Sequence, residues 1–430
     1  MITIKDLNAP EDVTSALERL REFYNGSAIA NWQAGLWDTE VGAFYYSNSA
    51  RDTEGYFPDI ESTVQLLRRL EISGAFADYN NDFSAALPEC VKEKLIAFAR
   101  DMQSPEDGFF YHRQWRGMSL STARVGRDLS WALGLLKSLG AQPMWDAPDG
   151  TKGLYGPPST DSGAQKSENK QSLNFATEEE YLAWLEEFNA TIKENSGRAH
   201  EMNAMMAEIS GKGFVRATLD YLDRIQDEVY AEQTEAGEEP TGLWQKPVNY
   251  RAVWGLLKFM PFYNNKKHGR PIRYAADIVK TCVKVIAMPP DGKYYMNDIY
   301  NQWSGINSLL DNVKKYNPEL LPSIYETTRA NAASLIDNSL EKIKPFAKAD
   351  GSFSYKGDGR SLSNIYGVPI SLGAEEGDVN ATALCCSMYK CIFTCLGYTD
   401  VPLMSPADGA RFIETIVKAE PVVKKTPVSE

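Results

Sequence analysis

Residues 104–115 of the chain read SPEDGFFYHRQW, a glycine turn followed by aromatic residues, a histidine and an arginine. Weaker copies of this turn recur at four other places, namely VGAFYY from residue 41, TGLW from 241, DGKYY from 291 and DGSFSY from 350. Glycine followed by aromatic residues is common in turns, so the significance of the repeat depends on what flanks each copy.

The segments on the two sides of each turn differ in their hydrophobic pattern. Amphipathic stretches with one polar face precede the turns, at 11–24, 88–103, 214–230, 272–288 and 324–346. More uniformly apolar stretches follow them, at 59–74, 128–140, 250–260, 302–313 and 378–397. A helix with one apolar face lies at a surface, whereas a helix that is apolar on most sides is buried on most sides. The pattern therefore predicts an outer helix, a turn and an inner helix, five times over.

A further amphipathic stretch at 405–420 brings the count close to six hairpins. The sequence thus predicts an all-α fold, an (α/α)5–6 toroid in which helical hairpins close into a barrel. Closure explains one domain over residues 1–420, where length alone suggests two or three. The rhythm breaks over 141–212, a Gly/Pro/Ser-rich loop followed by acidic helical sequence, which we interpret as an insertion and a candidate lid. Residues 421–430 are predicted to be a disordered tail.

Composition restricts the partners and the compartment. The formal net charge of −13 disfavours non-specific binding to nucleic acid or to anionic lipid. No segment reaches the roughly 18 uninterrupted apolar residues of a membrane span, and the first residues lack the pattern of a signal peptide. Four of the six cysteines share one apolar stretch, 385–395, which is typical of core thiols in a reducing compartment. We expect a cytoplasmic protein, with its oligomeric state left open.

Parallel inner helices would bring their N-terminal ends together at one mouth of the barrel, which is the default place for a site. The candidate catalytic residues there are Asp59, Glu61, Asp128, Asp378 and His112. The candidate substrate-binding residues are Tyr46, Tyr111, Arg113, Trp115, Arg127, Trp244, Tyr250, Trp303 and Tyr355. Aromatic rings stack on sugar faces and carboxylates accept hydrogen bonds from hydroxyls, while hydrolysis of a glycosidic bond uses two carboxyl groups. An oligosaccharide or another small molecule is the expected substrate.

Each of these residues also has a purely structural interpretation. Asp59, Asp128 and Asp378 stand at predicted N-cap positions, where an aspartate satisfies backbone donors without any catalytic role. His112 suits either general acid–base work or an ordinary hydrogen bond, and aromatic residues in turns are often core residues. With three histidines in the chain and no phosphate-binding glycine loop or CxxC pair, the sequence predicts neither a metal site nor a cofactor. The glycine-rich segment 359–378 is a second candidate lid.

The five helix-turn-helix repeats resemble the (α/α)-toroid proteins. Within them, ARVGRDLSWALGLLKSLG (123–140) looks like the Gly-Arg-x-x-x-Trp-Ala inner-helix segment of six-hairpin glycosidases. This resemblance implies a carbohydrate-active enzyme, a glycoside hydrolase or a polysaccharide lyase, with its site in the barrel mouth and Asp128 as the first residue to test. A lyase would draw on Tyr111, His112, Arg113 and Arg116 to neutralise a uronic acid and remove a proton.

A second resemblance concerns QSPEDGFF (103–110), which is similar to the Gln-and-Trp repeat of terpenoid cyclases with Phe in place of Trp. The same ring also occurs in protein prenyltransferases. The chain lacks the Asp-x-Asp-Asp and Asp-Asp-x-x-Asp motifs, and a prenyltransferase zinc site is not evident. The sequence therefore favours a glycoside hydrolase that uses carboxylate acid–base catalysis. A terpenoid cyclase-like enzyme, a polysaccharide lyase and a non-catalytic carbohydrate-binding toroid remain the alternatives.

Overall fold

The computed structural model describes residues 2–159, 175, 177–199, 202–203, 205–290 and 294–426 of the chain. Most of the regular structure in these ranges is helical. The α-helices are α1 (Glu11–Phe23), α2 (Gly26–Ala34), α3 (Asn48–Asp52), α4 (Ile60–Ile72), α5 (Phe83–Ala86), α6 (Glu89–Asp101), α7 (Thr122–Ser138), α8 (Glu178–Glu194), α9 (Met206–Gly211), α10 (Val215–Glu235), α11 (Tyr250–Tyr263), α12 (Ala275–Ala287), α13 (Met296–Tyr316), α14 (Leu321–Arg329), α15 (Ala332–Ile343), α16 (Val379–Cys395) and α17 (Pro406–Lys418).

Two short antiparallel hairpins are the sheets of the described ranges. Strands β1 (Trp37–Asp38) and β2 (Ala43–Phe44) pair with Trp37 opposite Phe44, and β3 (Asn364–Ile365) and β4 (Val368–Pro369) pair with Ile365 opposite Val368. The β3–β4 turn places Tyr366 and Gly367 at φ 52° and 90°, as a tight two-residue hairpin turn requires. The predicted all-α class is confirmed, whereas the toroid remains a prediction.

The chain divides into two compact units. The first comprises Met1–Phe23, Asn174–Lys344 and Ser387–Val401, and the second comprises Tyr24–Leu173, Pro345–Cys386 and Pro402–Glu430. One boundary between the units, after Cys386, falls inside α16. None of the helices in the described part of the chain is long and apolar enough to cross a membrane.

In the first unit, α11 and α13 pack most extensively, and α12 packs on α13, α14 and α15. Gly305 allows α11 and α13 to approach closely, because a Cβ at that position would lie 2.9 Å from Leu256 Cδ2. Helix α1 packs on α15, and α8 packs on α10. Apolar side chains from α11 and α13, among them Phe259 and Ile306, are fully buried, so these two helices form the centre of this unit.

In the second unit, α4 packs on α7 and on β2, and α6 packs on α7. Every residue from Ile60 to Leu67 in α4 is buried, whereas α6 buries a single face that includes Val91, Leu95 and Phe98. These two helices show the predicted difference between a helix buried on most sides and one buried on one side. Helix α17 packs on α2 in the same unit.

The turn at 104–115 is held by core packing and by a positive backbone angle. Gly108 has φ 75°, and a Cβ there would lie 2.3 Å from the carbonyl oxygen of Asp146. Gln103 donates from Nε2 to the carbonyl oxygens of Gly108 (3.0 Å) and Trp145 (2.9 Å), and Phe110 is fully buried. The glycine and the first aromatic residues of the turn therefore serve the fold.

The predicted helical stretches form helices, but 324–346 is divided between α14 and α15, and two inner helices begin earlier than expected. Helix α7 begins at Thr122, with Ser121 capping it through a 3.2 Å bond from the Arg124 amide, so Asp128 lies in its second turn and not at an N-cap. Helix α13 begins at Met296, which places Trp303 in its second turn. In both cases polar residues extend the helix beyond its apolar run, and apolar periodicity alone does not detect them.

Other sequence predictions fall partly outside the described ranges. The predicted insertion over 141–212 includes α8 and α9, while residues 160–174, 176, 200–201 and 204 are not described. The turn at 291–293 and residues 427–430 are not described either. In the predicted tail, the Lys425 amide donates to the carbonyl oxygen of Asp52 (2.8 Å), and its own carbonyl oxygen accepts from the Glu54 amide (3.1 Å). These two bonds join Lys425 to the backbone of residues 52–54, while the predicted disorder of residues 421–430 stays a prediction.

Candidate functional site

The N-terminal end of α4 places two carboxyl groups in the interior of the second unit. Asp59 caps the helix, accepting from the Ser62 amide (2.8 Å) and from the Ser62 hydroxyl (2.5 Å). Burial raises the pKa of Asp59 to about 6, although the bonds from Ser62 oppose the rise. The N-cap interpretation of Asp59 is therefore confirmed, and both of its oxygens are engaged.

Glu61, in the first turn of α4, is buried and lies among cations from α7. Its Oε2 is 3.0 Å from Arg124 Nη1 and accepts from Arg127 Nε at 3.2 Å, while Oε1 accepts from Gln65 Nε2 at 3.1 Å. Burial alone would raise the pKa of Glu61, but the charges of Arg127 and Arg124 outweigh it and hold the value near 2. Glu61 is therefore ionised and points into the interior of the second unit.

Asp128 lies one turn after Arg124 on α7 and is fully buried. Arg124 donates hydrogen bonds to both of its carboxyl oxygens, from Nη2 to Oδ1 and from Nε to Oδ2 at 3.2 Å. Burial raises the pKa of Asp128 to about 7, against the opposing charge of Arg124. The Arg124 guanidinium also lies over the Trp115 ring, 5.1 Å from its centroid. Asp128 thus has both carboxyl oxygens committed to one arginine.

Asp378 caps α16 and differs from the other three carboxyl groups. Its Oδ1 accepts from the Ala381 amide at 2.7 Å, but Oδ2 has no partner in hydrogen-bonding geometry among the described residues. The hydroxyl of Tyr46 is likewise buried outside such geometry, although it lies close enough to Asp378 to affect the pKa of that carboxyl group. Burial raises the pKa of Asp378 to about 7, while nearby Tyr46 lowers it in part. The two residues are neighbours because the Val379 amide donates to the Tyr46 carbonyl oxygen (2.9 Å).

These groups belong to one buried site, which we call the polar cluster. Gln65 links its two sides, since Nε2 donates both to Glu61 and to Asn380 Oδ1 (3.3 Å). The charge of Glu61 also acts on Tyr46. The members of the polar cluster are Tyr46, Asp59, Glu61, Arg124, Arg127, Asp128 and Asp378.

The β3–β4 hairpin lies against the polar cluster. The Arg127 guanidinium is 5.0 Å from the centroid of the Tyr366 ring, and the Trp115 indole donates to the carbonyl oxygen of Pro369 (2.9 Å). Glu376 fastens the end of the same segment by accepting from the Ser49 amide (2.8 Å) and hydroxyl. The glycine-rich segment that the sequence marked as a candidate lid therefore contacts the groups it would have to cover.

His112 is buried beside the polar cluster with both ring nitrogens occupied. Its Nδ1 accepts from the Gln114 amide at 3.3 Å, which leaves Nε2 as the nitrogen that donates to the carbonyl oxygen of Pro58. Burial lowers the pKa of His112 to about 4. The ring packs on Trp115, with centroids 4.5 Å apart. A neutral His112 therefore holds the backbone that leads into Asp59, and this contact matches the structural interpretation.

Tyr111 and Arg113 lie outside the polar cluster. The Tyr111 hydroxyl donates to Asp107 (2.7 Å), and Arg113 forms an ion pair with Asp101 (2.7 Å) while remaining 58% exposed. A cavity of about 480 Å³ adjoins Arg113. Its lining includes Glu40, Phe57, Phe98, Asp101, His112 and Arg113.

Three predicted binding residues belong to the first unit. The buried indoles of Trp244 and Trp303 donate to the Leu222 carbonyl oxygen (3.0 Å) and to the Ser339 hydroxyl (2.9 Å), which are core contacts. The Tyr250 hydroxyl donates to the Met288 carbonyl oxygen (2.9 Å), and its ring lies 5.7 Å from Lys342 Nζ. Tyr355 lies in the second unit, half-buried, and its charge acts on Tyr46.

Two residues that contribute to the polar cluster were missed at the sequence level. Arg124 reaches both Glu61 and Asp128, and its only sequence signal is the four-residue spacing to Asp128 that favours an ion pair on a helix. Tyr366 carried no signal, because its role depends on a hairpin that folds back onto α7. Long-range contacts of this kind cannot be inferred from local pattern.

Within the described ranges, no three His, Cys, Asp or Glu side chains are grouped as a metal ion requires. The polar cluster therefore offers hydrogen-bonding and proton-transfer groups in the form of carboxyls, arginines and a tyrosine. Comparison with known proteins finds no match for this chain among family models, curated proteins or solved structures.

Proposed function

We propose that the chain is a carbohydrate-active enzyme that hydrolyses glycosidic bonds of an oligosaccharide at the polar cluster, with Asp378 as its general acid. One observation carries the proposal. Of the four carboxyl groups in the cluster, Asp378 is the one with an oxygen that no described residue holds in good hydrogen-bonding geometry, although the Tyr46 hydroxyl and the Leu362 backbone lie close to this carboxyl group. Its pKa of about 7 keeps it protonated up to neutral pH. Such a group can donate a proton to a leaving-group oxygen.

The ionised partner in this proposal is Glu61. Hydrolysis passes through an oxocarbenium-like transition state, and a second carboxylate on the other side of the bond stabilises it or activates water. Arg124 and Arg127 keep Glu61 charged and fix its position. The two carboxyls thus have environments that push their pKa values apart, which is the usual arrangement for an acid and its ionised partner.

Asp128, the first residue to test on the sequence resemblance, is not assigned as the general acid. Both oxygens of Asp128 are held by Arg124, so it positions that arginine and has no free oxygen to offer a substrate. Because the cluster is buried, substrate entry requires the β3–β4 hairpin to swing away from Arg127 and Trp115. Such lid movements are common in enzymes that exclude water from the reaction.

The test is a screen of neutral and acidic oligosaccharides for release of new reducing ends. We expect turnover by the wild type and its loss in Asp378→Asn, which keeps the shape and the helix cap. Asp82→Asn is the matched control, since Asp82 caps α5 through the Ser84 amide (2.8 Å) at an exposed position. Full activity in Asp378→Asn would remove the proposed acid.

The same screen separates the alternatives. Products that absorb in the ultraviolet as unsaturated uronates indicate a lyase, and saturable binding without turnover indicates a binding protein. A terpenoid cyclase would also use a buried protonated aspartate, so a polyene and a prenyl diphosphate are included as substrates. Conversion of either one in place of sugars would overturn the hydrolase proposal.

A further inference from the structure

Lys424, in the second unit, contacts two aromatic rings and a carbonyl oxygen, which are the groups that commonly bind an organic cation. Its Nζ lies 4.6 Å from the centroid of the Tyr45 ring and 5.3 Å from that of Phe57. It also donates to the carbonyl oxygen of Tyr56. Ammonium groups within about 6 Å of a ring centroid are attracted by the negative face of the ring, and paired rings form the cages that bind methylated ammonium ligands.

The surroundings of this cage are acidic. Burial lowers the pKa of Lys424, and the charges of Asp38 and Glu54 oppose this by favouring the ammonium form. Asp38 is itself buried and accepts from the Tyr45 hydroxyl (2.5 Å). The chain as a whole carries a formal charge of −13, which raises the local concentration of cations. The cage therefore has rings, a hydrogen-bond acceptor and negative charge, the features by which proteins recognise an organic ammonium group.

The segment that supplies the cation is attached by few contacts. Residues 421–426, which we call the strap, follow the end of α17 at Lys418. The strap pairs with the body of the second unit through the two backbone hydrogen bonds of Lys425 with Asp52 and Glu54. Val423 is 88% exposed. Elements held by so few contacts detach at little cost.

The cage also adjoins free space. Phe57 is 41% exposed and lines the cavity of about 480 Å³ that also borders Glu40 and Asp101. A ligand whose ammonium group replaced that of Lys424 would thus have room beside the ring of Phe57 for the rest of its body. Phe98 and Met102 supply apolar wall to that cavity.

From these observations we infer that Tyr45 and Phe57 form a binding site for organic ammonium compounds, which the chain's own Lys424 occupies until such a ligand displaces the strap. The tether gives Lys424 a high effective concentration at the cage, so the free protein binds external ammonium ligands weakly. Removal of Lys424 removes this competitor. This site shares no residue with the polar cluster, and the inference does not depend on the proposed hydrolase.

The test is calorimetric titration of the full chain with Nα-acetyl-lysine N-methylamide and with its Nε-trimethyl form. Lys424→Gln is expected to bind both probes about tenfold more tightly than the wild type, because the internal competitor is gone. Lys425→Gln is the matched control and is expected to bind as the wild type does, since Lys425 contributes backbone bonds. The neutral Nε-acetyl form of the probe is expected not to bind.

A second variant tests the inference even if Lys424→Gln alters more of the structure than the competing ammonium group. Phe57→Leu in the Lys424→Gln background is expected to reduce probe affinity about tenfold, and its partly exposed position makes loss of the fold unexpected. In the wild type, saturating probe is expected to speed hydrogen exchange of the Glu54 amide, which the strap protects. Equal affinity of wild type and Lys424→Gln, or binding that survives Phe57→Leu, would overturn the inference.

Discussion

The Glu61 carboxylate lies 3.0 Å from the Arg124 guanidinium although the two side chains are only 5% and 1% exposed. Buried ion pairs are strongly destabilising to break, because the remaining charge is left without a partner. We expect Glu61→Gln to lower the free energy of unfolding by about 3–5 kcal/mol. Glu414→Gln breaks an exposed pair with Lys418 and is expected to cost under about 1 kcal/mol. Denaturant unfolding measures both, and similar costs would contradict the buried pairing.

The raised pKa of Asp378 predicts how stability depends on pH. Between pH 3.8 and about 7 the unfolded chain has released this proton while the folded chain retains it. Stability of the wild type relative to Asp378→Asn therefore falls as pH rises through this window, by at most about 1.4 kcal/mol per pH unit, and is level above it. Unfolding of both proteins from pH 4 to 8 tests this difference. Asp82→Asn is the control, because the bond from Ser84 lowers the pKa of Asp82 below its usual 3.8, so its stability relative to the wild type should stay nearly level from pH 4 to 8.

Gly108 and Gly117 are two turn positions at which the loss of stability caused by an added side chain can be compared. Both have positive φ, 75° and 83°, but a Cβ at 108 meets the Asp146 carbonyl oxygen at 2.3 Å, whereas nothing lies within 4 Å of one at 117. Gly117→Ala should cost about 1–2 kcal/mol from backbone strain alone. Gly108→Ala should cost clearly more, because the backbone at 146 must also move. Thermal unfolding of the two variants compares them, and equal losses would show that the 108 turn adapts freely.

The contact between Tyr366 and Arg127 predicts how firmly the β3–β4 hairpin is held. Tyr366→Ala removes a cation–π contact worth about 0.5–1 kcal/mol. We expect hydrogen exchange of the Ser361 and Ile370 amides, which bond within this segment, to speed up about two- to fivefold. Leu372→Ala is the control in the same segment, as that side chain is 53% exposed. An equal effect of both variants would mean that Tyr366 does not hold the hairpin.

Lys342 is a buried lysine whose described polar contacts are with backbone and a ring. Its Nζ donates to the Ile286 carbonyl oxygen (2.6 Å), and burial lowers its pKa to about 8. Between pH 8 and 10.5 the unfolded chain keeps this proton and the folded chain has lost it, so stability relative to Lys342→Met rises with pH. Unfolding curves across this range provide the measurement, with the exposed Lys280→Met as control. A stability difference that does not change with pH would mean that the Lys342 ammonium group is solvated and keeps its usual pKa in the folded protein.

Apolar periodicity predicted the helices well, and short polar signals predicted several of their starts. Asp59 and Asp378 cap helices where the sequence placed them. Ser121 was missed as an N-cap because the turn of α7 from Arg124 to Asp128 is polar. The side chains of that turn are buried only through partners far along the chain. Glu61 and Arg127 meet across 66 positions, a separation for which no local pattern carries information. The sequence thus named six of the seven residues that form the polar cluster, while their pairing required the packed structure.

The three aspartates of the polar cluster have pKa values between about 6 and about 7. Below this range the two guanidiniums exceed the single charge of Glu61, and the cluster is net positive. Above it the aspartates ionise, and the sign reverses. His112 takes no part, because its pKa is about 4. The charge of this part of the second unit thus changes near neutral pH through carboxyl groups, in the range where histidine usually titrates.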